Sequence, residues 1–180
     1  MFSLRPNRYG ETSPAAGLQF PEARLYRSTV VLLLSLTVSS LTASVPATAA
    51  ADPRADVVTL TNAERAKAGC GPLKRHSALD TAAQSHGADM AKNNYFSHTG
   101  RDGSSPTQRM QRAGYPRNTG TGENIAAGYP TAADTVKGWM ASAGHRRTML
   151  NCAYKSIGVG YSIATTATYK HYWVQDFGTA

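Results

Sequence analysis

One carboxylate and two imidazoles are the groups in this sequence best placed to do chemistry together. Glu123 stands in Gly122-Glu123-Asn124-Ile125-Ala126-Ala127-Gly128, a stretch with no other charge. Burying an unpaired carboxylate is costly, so Glu123 is either a solvated turn residue or one held by partners. The candidate partners are His98, in Phe96-Ser97-His98-Thr99, and His145, in Ser142-Ala143-Gly144-His145-Arg146. Two chemistries follow from that trio. One is a charge-assisted network that pins three segments together; the other is a divalent metal site. Zinc suits imidazole nitrogen and carboxylate oxygen, and His98, His145 and Glu123 with an open position would make a catalytic-type centre. Hydroxyls also lie close in sequence: Ser97 adjoins His98, and Ser142 precedes His145 by three residues. A serine hydrolase or protease is therefore the alternative reading, although no serine elbow of the strand-to-helix kind is present.

The elements that must position these groups are legible as caps and periods. Asp52 and Pro53 cap and open a first helix through Val57, Leu60, Glu64 and Ala68, stopped by Gly69. Ser77 with Asp80 reads as a capping box for a second helix. Its apolar face runs Leu79, Ala82, Ala83, His86 and Met90, which makes His86 a core or interface histidine, and Asn93-Asn94 ends it. Ser105-Pro106 starts a short third helix through Met110, closed by Gly114, and Thr131 with Asp134 caps a fourth carrying Val136, Trp139 and Met140. The Ser142-Ala143-Gly144 that follows reads as an ordinary helix terminus. The period then changes. Ile157, Val159, Tyr161 and Ile163 alternate with small or polar residues as in a half-buried strand, and residues 169–177 alternate likewise after a turn at 165–168. With a further strand at 123–126, helices first and strands last imply α+β: helices packed on an antiparallel sheet.

The front of the chain reads as export machinery. Arg24 and Arg27 precede an apolar run over residues 29–41, followed by Ala47-Thr48-Ala49, a small-residue cleavage site. Residues 1–49 are thus expected to be an N-terminal extension and secretory signal, and residues 50–180 one domain. The apolar run falls short of the roughly twenty residues a membrane span needs, so no permanent anchor is expected. Export would carry Cys70 and Cys152, the two cysteines of the chain, into an oxidising compartment, where a single disulfide is the economical outcome. The 180 residues carry a formal charge of +8. Arg65, Lys92, Arg109 and Arg146 are typical of charges spread thinly, as on a solvated surface drawn to anionic envelope polymers or lipid headgroups. With no basic stripe interleaved with aromatics, nucleic acid is not an expected partner.

The order of motifs resembles a known family. Asn62 with Glu64-Arg65, Gly71-Pro72-Leu73, Ala82-Ala83-Gln84, Phe96-Ser97-His98, Gly122-Glu123-Asn124-Ile125, Trp139 through Arg146, Ile157 through Tyr161 and Trp173 through Gly178 follow one another as in the CAP superfamily. These are the cysteine-rich secretory, antigen-five and pathogenesis-related proteins, here in a compact bacterial form. The resemblance covers nearly all of residues 50–180. It implies an α-β-α sandwich, secretion, and a cleft lined by two His and two Glu that holds a divalent metal in some members. His98, Glu123 and His145 match three of those positions, while Ser142 stands where the second Glu would be. Lipid or sterol binding in some relatives, and cell-envelope roles in others, are what the resemblance implies about ligands. The expectation is a secreted, monomeric binding protein whose cleft contains His98, Glu123, His145 and Ser142.

Overall fold

The computed structural model describes residues 52–180; the expected signal sequence and cleavage site lie outside them. The element order is α1 (Pro53–Lys67), β1 (Lys74–Arg75), α2 (Ser77–Asn93), α3 (Pro106–Arg112), β2 (Thr121–Ala127), α4 (Ala132–Ala141), α5 (Ala143–Met149), β3 (Ser156–Ile163) and β4 (His171–Gly178). One sheet with strand order β1-β3-β4-β2 separates two helical layers. Helices α1, α4 and α5 cover one face through Val57, Val136, Trp139 and Met149, packed on Trp173 and Phe177. Helix α2 covers the other through Ala83 and Met90 against Tyr172 and Val174, with α3 beside it through Met110. The expected α-β-α sandwich is what forms. The sheet is not wholly antiparallel, however: β1 pairs with β3 in parallel, Lys74 opposite Ser156 and Arg75 opposite Ile157.

Local chemistry accounts for the helix ends. The Asp52 carboxylate accepts from the Arg54 N–H at 3.0 Å, with Pro53 at the first helical position where its missing donor costs nothing. Ser105 and Gln108 form a reciprocal capping box on α3, and Thr131 accepts from the Asp134 N–H at 3.1 Å on α4. The expected Ser77–Asp80 box does not form. His76 is the cap instead, its Nδ1 accepting from the Ala78 N–H at 3.2 Å. Asp80 is used across the layer boundary: it accepts from the Val159 N–H at 2.9 Å and from Arg75 Nε at 3.1 Å.

Strand β3 is buried over most of its length rather than alternating. The glycines that interrupt its apolar residues face helix α2, not solvent. A Cβ at Gly158 would fall 2.0 Å from the Leu79 carbonyl carbon, and one at Gly160 2.2 Å from the Ala83 oxygen. Absent side chains let the α2 backbone lie directly on the sheet, and alanine at either position would force the layers apart. Strand β4 begins at His171, two residues later than its alternation suggests. It is covered on both faces, so its burial is continuous.

The disulfide Cys70–Cys152 forms and closes a separation of 82 residues. It joins the segment after α1 to the segment after α5. Beside it Arg65, wholly buried, corrects the reading of its charge as a solvated one. Its guanidinium donates to the carbonyls of Gly71, Met149, Asn151 and Tyr154 at 2.8–3.1 Å. Two of these carbonyls belong to the C-terminal end of α5 and the residues just past it, where backbone acceptors are left over and a cation is favoured.

Candidate functional site

Glu123 points from β2 into the layer that holds α2 and α3. Its side chain is 2 % exposed, and both carboxylate oxygens are engaged. His98 Nδ1 lies 2.7 Å from Oε1, and Arg109 Nη2 donates to Oε2 at 2.6 Å. Burial works against ionisation, yet the His98 hydrogen bond and the Arg109 charge outweigh it and hold the carboxyl below its ordinary pKa. The Arg109 side chain is only 9 % exposed, against its reading as a surface charge, and donates to the carbonyls of His98 and Ser104, both at 2.9 Å. It therefore fixes the segment bearing His98 as well as the carboxylate that His98 meets.

His86 anchors the same segment from beneath. Its Nε2–H donates to the Ser97 carbonyl at 2.8 Å, and burial, then the nearby Arg109 charge, lower its pKa. Asp176 lies opposite Glu123 in the β2–β4 register. It is 1 % exposed, and neither oxygen has a hydrogen-bond partner. Burial first, and then the Glu123 charge, push its carboxyl well above the ordinary range.

His145 reaches the site from the other layer. The chain does not simply end a helix after Met140: Ser142, in extended conformation (φ −93°, ψ 122°), is at once the last cap of α4 and the first of α5. This break starts α5 and puts His145 in its first turn. The Asn124 side chain secures the junction by donating to the His145 carbonyl at 3.1 Å. Burial, followed by the charge of His98, lowers the His145 pKa. His98 and His145 thus line one cleft of about 570 Å³, together with Ser97, Ser142, Phe96, Trp139, and Ile125 and Ala127 of β2.

Of the residues singled out from sequence, His98 and Glu123 are in contact, while His98, His145 and Ser142 line one cleft. The metal reading meets a difficulty. Among the described residues, no three of His, Cys, Asp and Glu are placed to hold one ion together. Both Glu123 oxygens are spent on Arg109 and His98, and a hydroxyl stands where a second carboxylate would complete the donor set. The residues present do not fit a three-ligand zinc centre.

Residues 58–177 match the Cysteine-rich secretory protein family, CAP. The chain belongs to the CAP family. A curated relative, the uncharacterized protein YkwD of Bacillus subtilis, is 42% identical over 139 residues, covering 77% of this chain and 51% of YkwD. The uncharacterized membrane protein YlbC of the same bacterium is 35% identical over 121 residues, 67% of this chain and 33% of YlbC. This CAP chain therefore spans about half of one and a third of the other. Among solved structures, an extracellular protein containing an SCP domain from Bacillus anthracis superposes with a TM-score of 0.61 at 30% identity, over 69% of this chain and 39% of that one. An outer surface protein of Borrelia burgdorferi shares the fold, with a TM-score of 0.62 at 22% identity over 70% of this chain and 91% of that one. Among the described residues of this CAP chain, no helix is long and apolar enough to cross a membrane.

Three parts of the CAP site escape a reading of sequence alone. Arg109 sits among many scattered cations, and nothing local marks it. The signal that could have found it is Glu123 itself, since a lone acid in an uncharged segment requires a cation. Asp176 hides in a strand run, and α5 hides behind a Gly-containing helix end.

Proposed function

We propose that this CAP protein is exported and acts outside the cell as a binding protein, with its ligand held in the cleft between His98 and His145. The observation that carries this reading is the character of the cleft. Its walls are apolar and aromatic, its few polar groups converge from both layers, and the network of Glu123, Arg109 and His86 holds His98 in place. Such a lining suits a ligand of the cell envelope with both apolar and polar parts, whether lipid, sterol or polymer.

The test is titration of the purified protein with anionic phospholipid vesicles, a sterol and purified cell-wall polymer, followed by the NMR resonances of His98, His145 and Trp139. Saturable shifts confined to those residues are expected for at least one probe. Shifts elsewhere only would remove the cleft from the function. Zinc titration in the same experiment is expected to give binding weaker than micromolar, since Glu123 must abandon Arg109 to become a ligand; one tightly held ion, lost on replacing both histidines by alanine, would restore the metal centre. A hydrolytic role for Ser142 or Ser97 predicts ester or peptide turnover that Ser142→Ala or Ser97→Ala abolishes.

A further inference from the structure

Strand β2 is half satisfied as a hydrogen-bonding surface. It is an edge strand, paired with β4 on its inner side alone. Two bonds bracket the pairing: the Thr179 N–H donates to Gly120 O at 3.0 Å, and the Gly128 N–H donates to His171 O at 2.9 Å. The register between them is unbroken. In an antiparallel pair the backbone groups alternate, so the even-numbered residues of β2 turn theirs toward β4. Thr121, Glu123, Ile125 and Ala127 turn theirs outward.

Two of the outward carbonyls are taken. The Tyr154 hydroxyl donates to Thr121 O at 3.0 Å, and Trp139 Nε1–H donates to Ile125 O at 3.1 Å. No described group bonds the N–H or C=O of Glu123, the N–H of Ile125, or either backbone group of Ala127. Trp139, Ile125 and Ala127 also line the cleft between the two histidines. Of the unmet groups, the N–H of Ile125 and both groups of Ala127 therefore belong to the lining of that cleft. A lipid chain there would leave donors and acceptors unanswered, which is costly away from water. An extended polypeptide answers them, because its own outward groups recur every second residue, about 6.8 Å apart.

Charge narrows the ligand further. The cleft lining contains two imidazoles and no acidic side chain, while the Glu123 carboxylate is turned away onto Arg109 and His98 Nδ1. A carboxylate on the ligand would meet imidazole and no like charge. Half-exposed Phe96 and Tyr129, 42 % and 38 % accessible, both line the cleft and offer aromatic surface to the apolar side chains of a strand laid there. We propose that the cleft takes an extended, carboxylate-bearing peptide segment, which adds to β2 as a fifth strand. This rests on the cleft being the ligand site.

The test uses the full chain and acetylated, amidated octapeptides of alternating valine and glutamate. One has a native backbone, one is N-methylated at every valine, and one at every glutamate. Strand addition predicts that the native peptide and one methylated isomer bind and slow Ile125 and Ala127 amide exchange. The other isomer, which loses the donors that face β2, should bind at least about tenfold more weakly. Ala127→Pro, which deletes an outward N–H and no β4 bond, is expected to weaken the native peptide by about tenfold with unchanged circular dichroism. Equal binding of both methylated isomers, or binding without protection of β2, overturns strand addition. If no peptide binds while phospholipid or polymer shifts the His98 and His145 resonances, this inference fails and the cleft reading stands. If no probe moves those resonances, both fail.

Discussion

Arg65 and Arg109 show how differently one fold can accommodate a guanidinium. Arg65 is surrounded by four backbone carbonyls with no acid in contact, beside the disulfide. Arg109 meets one carboxylate and two carbonyls, its Nε lacks a partner, and the imidazole sharing its carboxylate has a side chain 51 % exposed. The first arrangement is closed and neutralises nothing; it spends donors on carbonyls that α5 leaves over. Burial without a counter-ion holds the Arg65 pKa below its ordinary value. The second arrangement is open on one side and carries a titratable pair. The contrast predicts that stability is concentrated in the first region and responsiveness in the second.

The sharpest way to break this contrast is at Arg65. Arg65→Met should cost on the order of 4 kcal/mol in urea denaturation, because several buried carbonyls lose their donor at once. A loss below about 1 kcal/mol would mean that water replaces the guanidinium freely. Glu123→Ala should cost somewhat less, about 2–4 kcal/mol, since Arg109 is left buried and uncompensated. If Glu123→Ala proved the more damaging, the open region would be the true keystone.

The pH dependence of stability separates the regions next. Glu123 has a native pKa below its unfolded one, so its contribution is present above the unfolded value and lost as pH falls through the native value. Asp176 runs the other way. Its native pKa is raised, so the native state binds more protons than the unfolded one, and stability declines as pH rises from the ordinary carboxylate range toward the native value. Asp176→Asn should therefore stabilise the protein at neutral pH and flatten that decline, seen as a higher melting temperature at pH 7 than at pH 4 relative to the parent. An unchanged profile would place the proton elsewhere. The smallest expected effect is at His98: His98→Ala should cost under about 1 kcal/mol, because the imidazole is half in water, while removing the cleft's ligand response.

The contrast also explains what could be read from the sequence. Caps, helix faces and the order of strands are local or periodic signals, and they gave helices packed on a sheet; the sandwich was what the resemblance to the CAP superfamily implied. The trio of His98, Glu123 and His145 came from the order of motifs, and the cleft does bring the two histidines together. What stayed hidden depends on long-range pairing. Arg65 and Arg109 look like any surface cation until the carbonyls and the carboxylate they meet are assembled from distant segments. Asp80 offered itself as a capping residue, but a backbone N–H of β3 competes for it and wins. Gly158 and Gly160 suggested a strand face in solvent, because the sequence does not say that a helix backbone lies there.

The position of β4 has a consequence for how the chain is made. The last strand in sequence order lies between β2 and β3, so β2 has no sheet partner until β4 has emerged. Until then, neither helical layer has a complete surface to close upon, and low-contact-order shortcuts are few. A nascent chain halted after Ile163 would therefore lack the strand that joins β2 to β3, and the sheet would exist only in pieces.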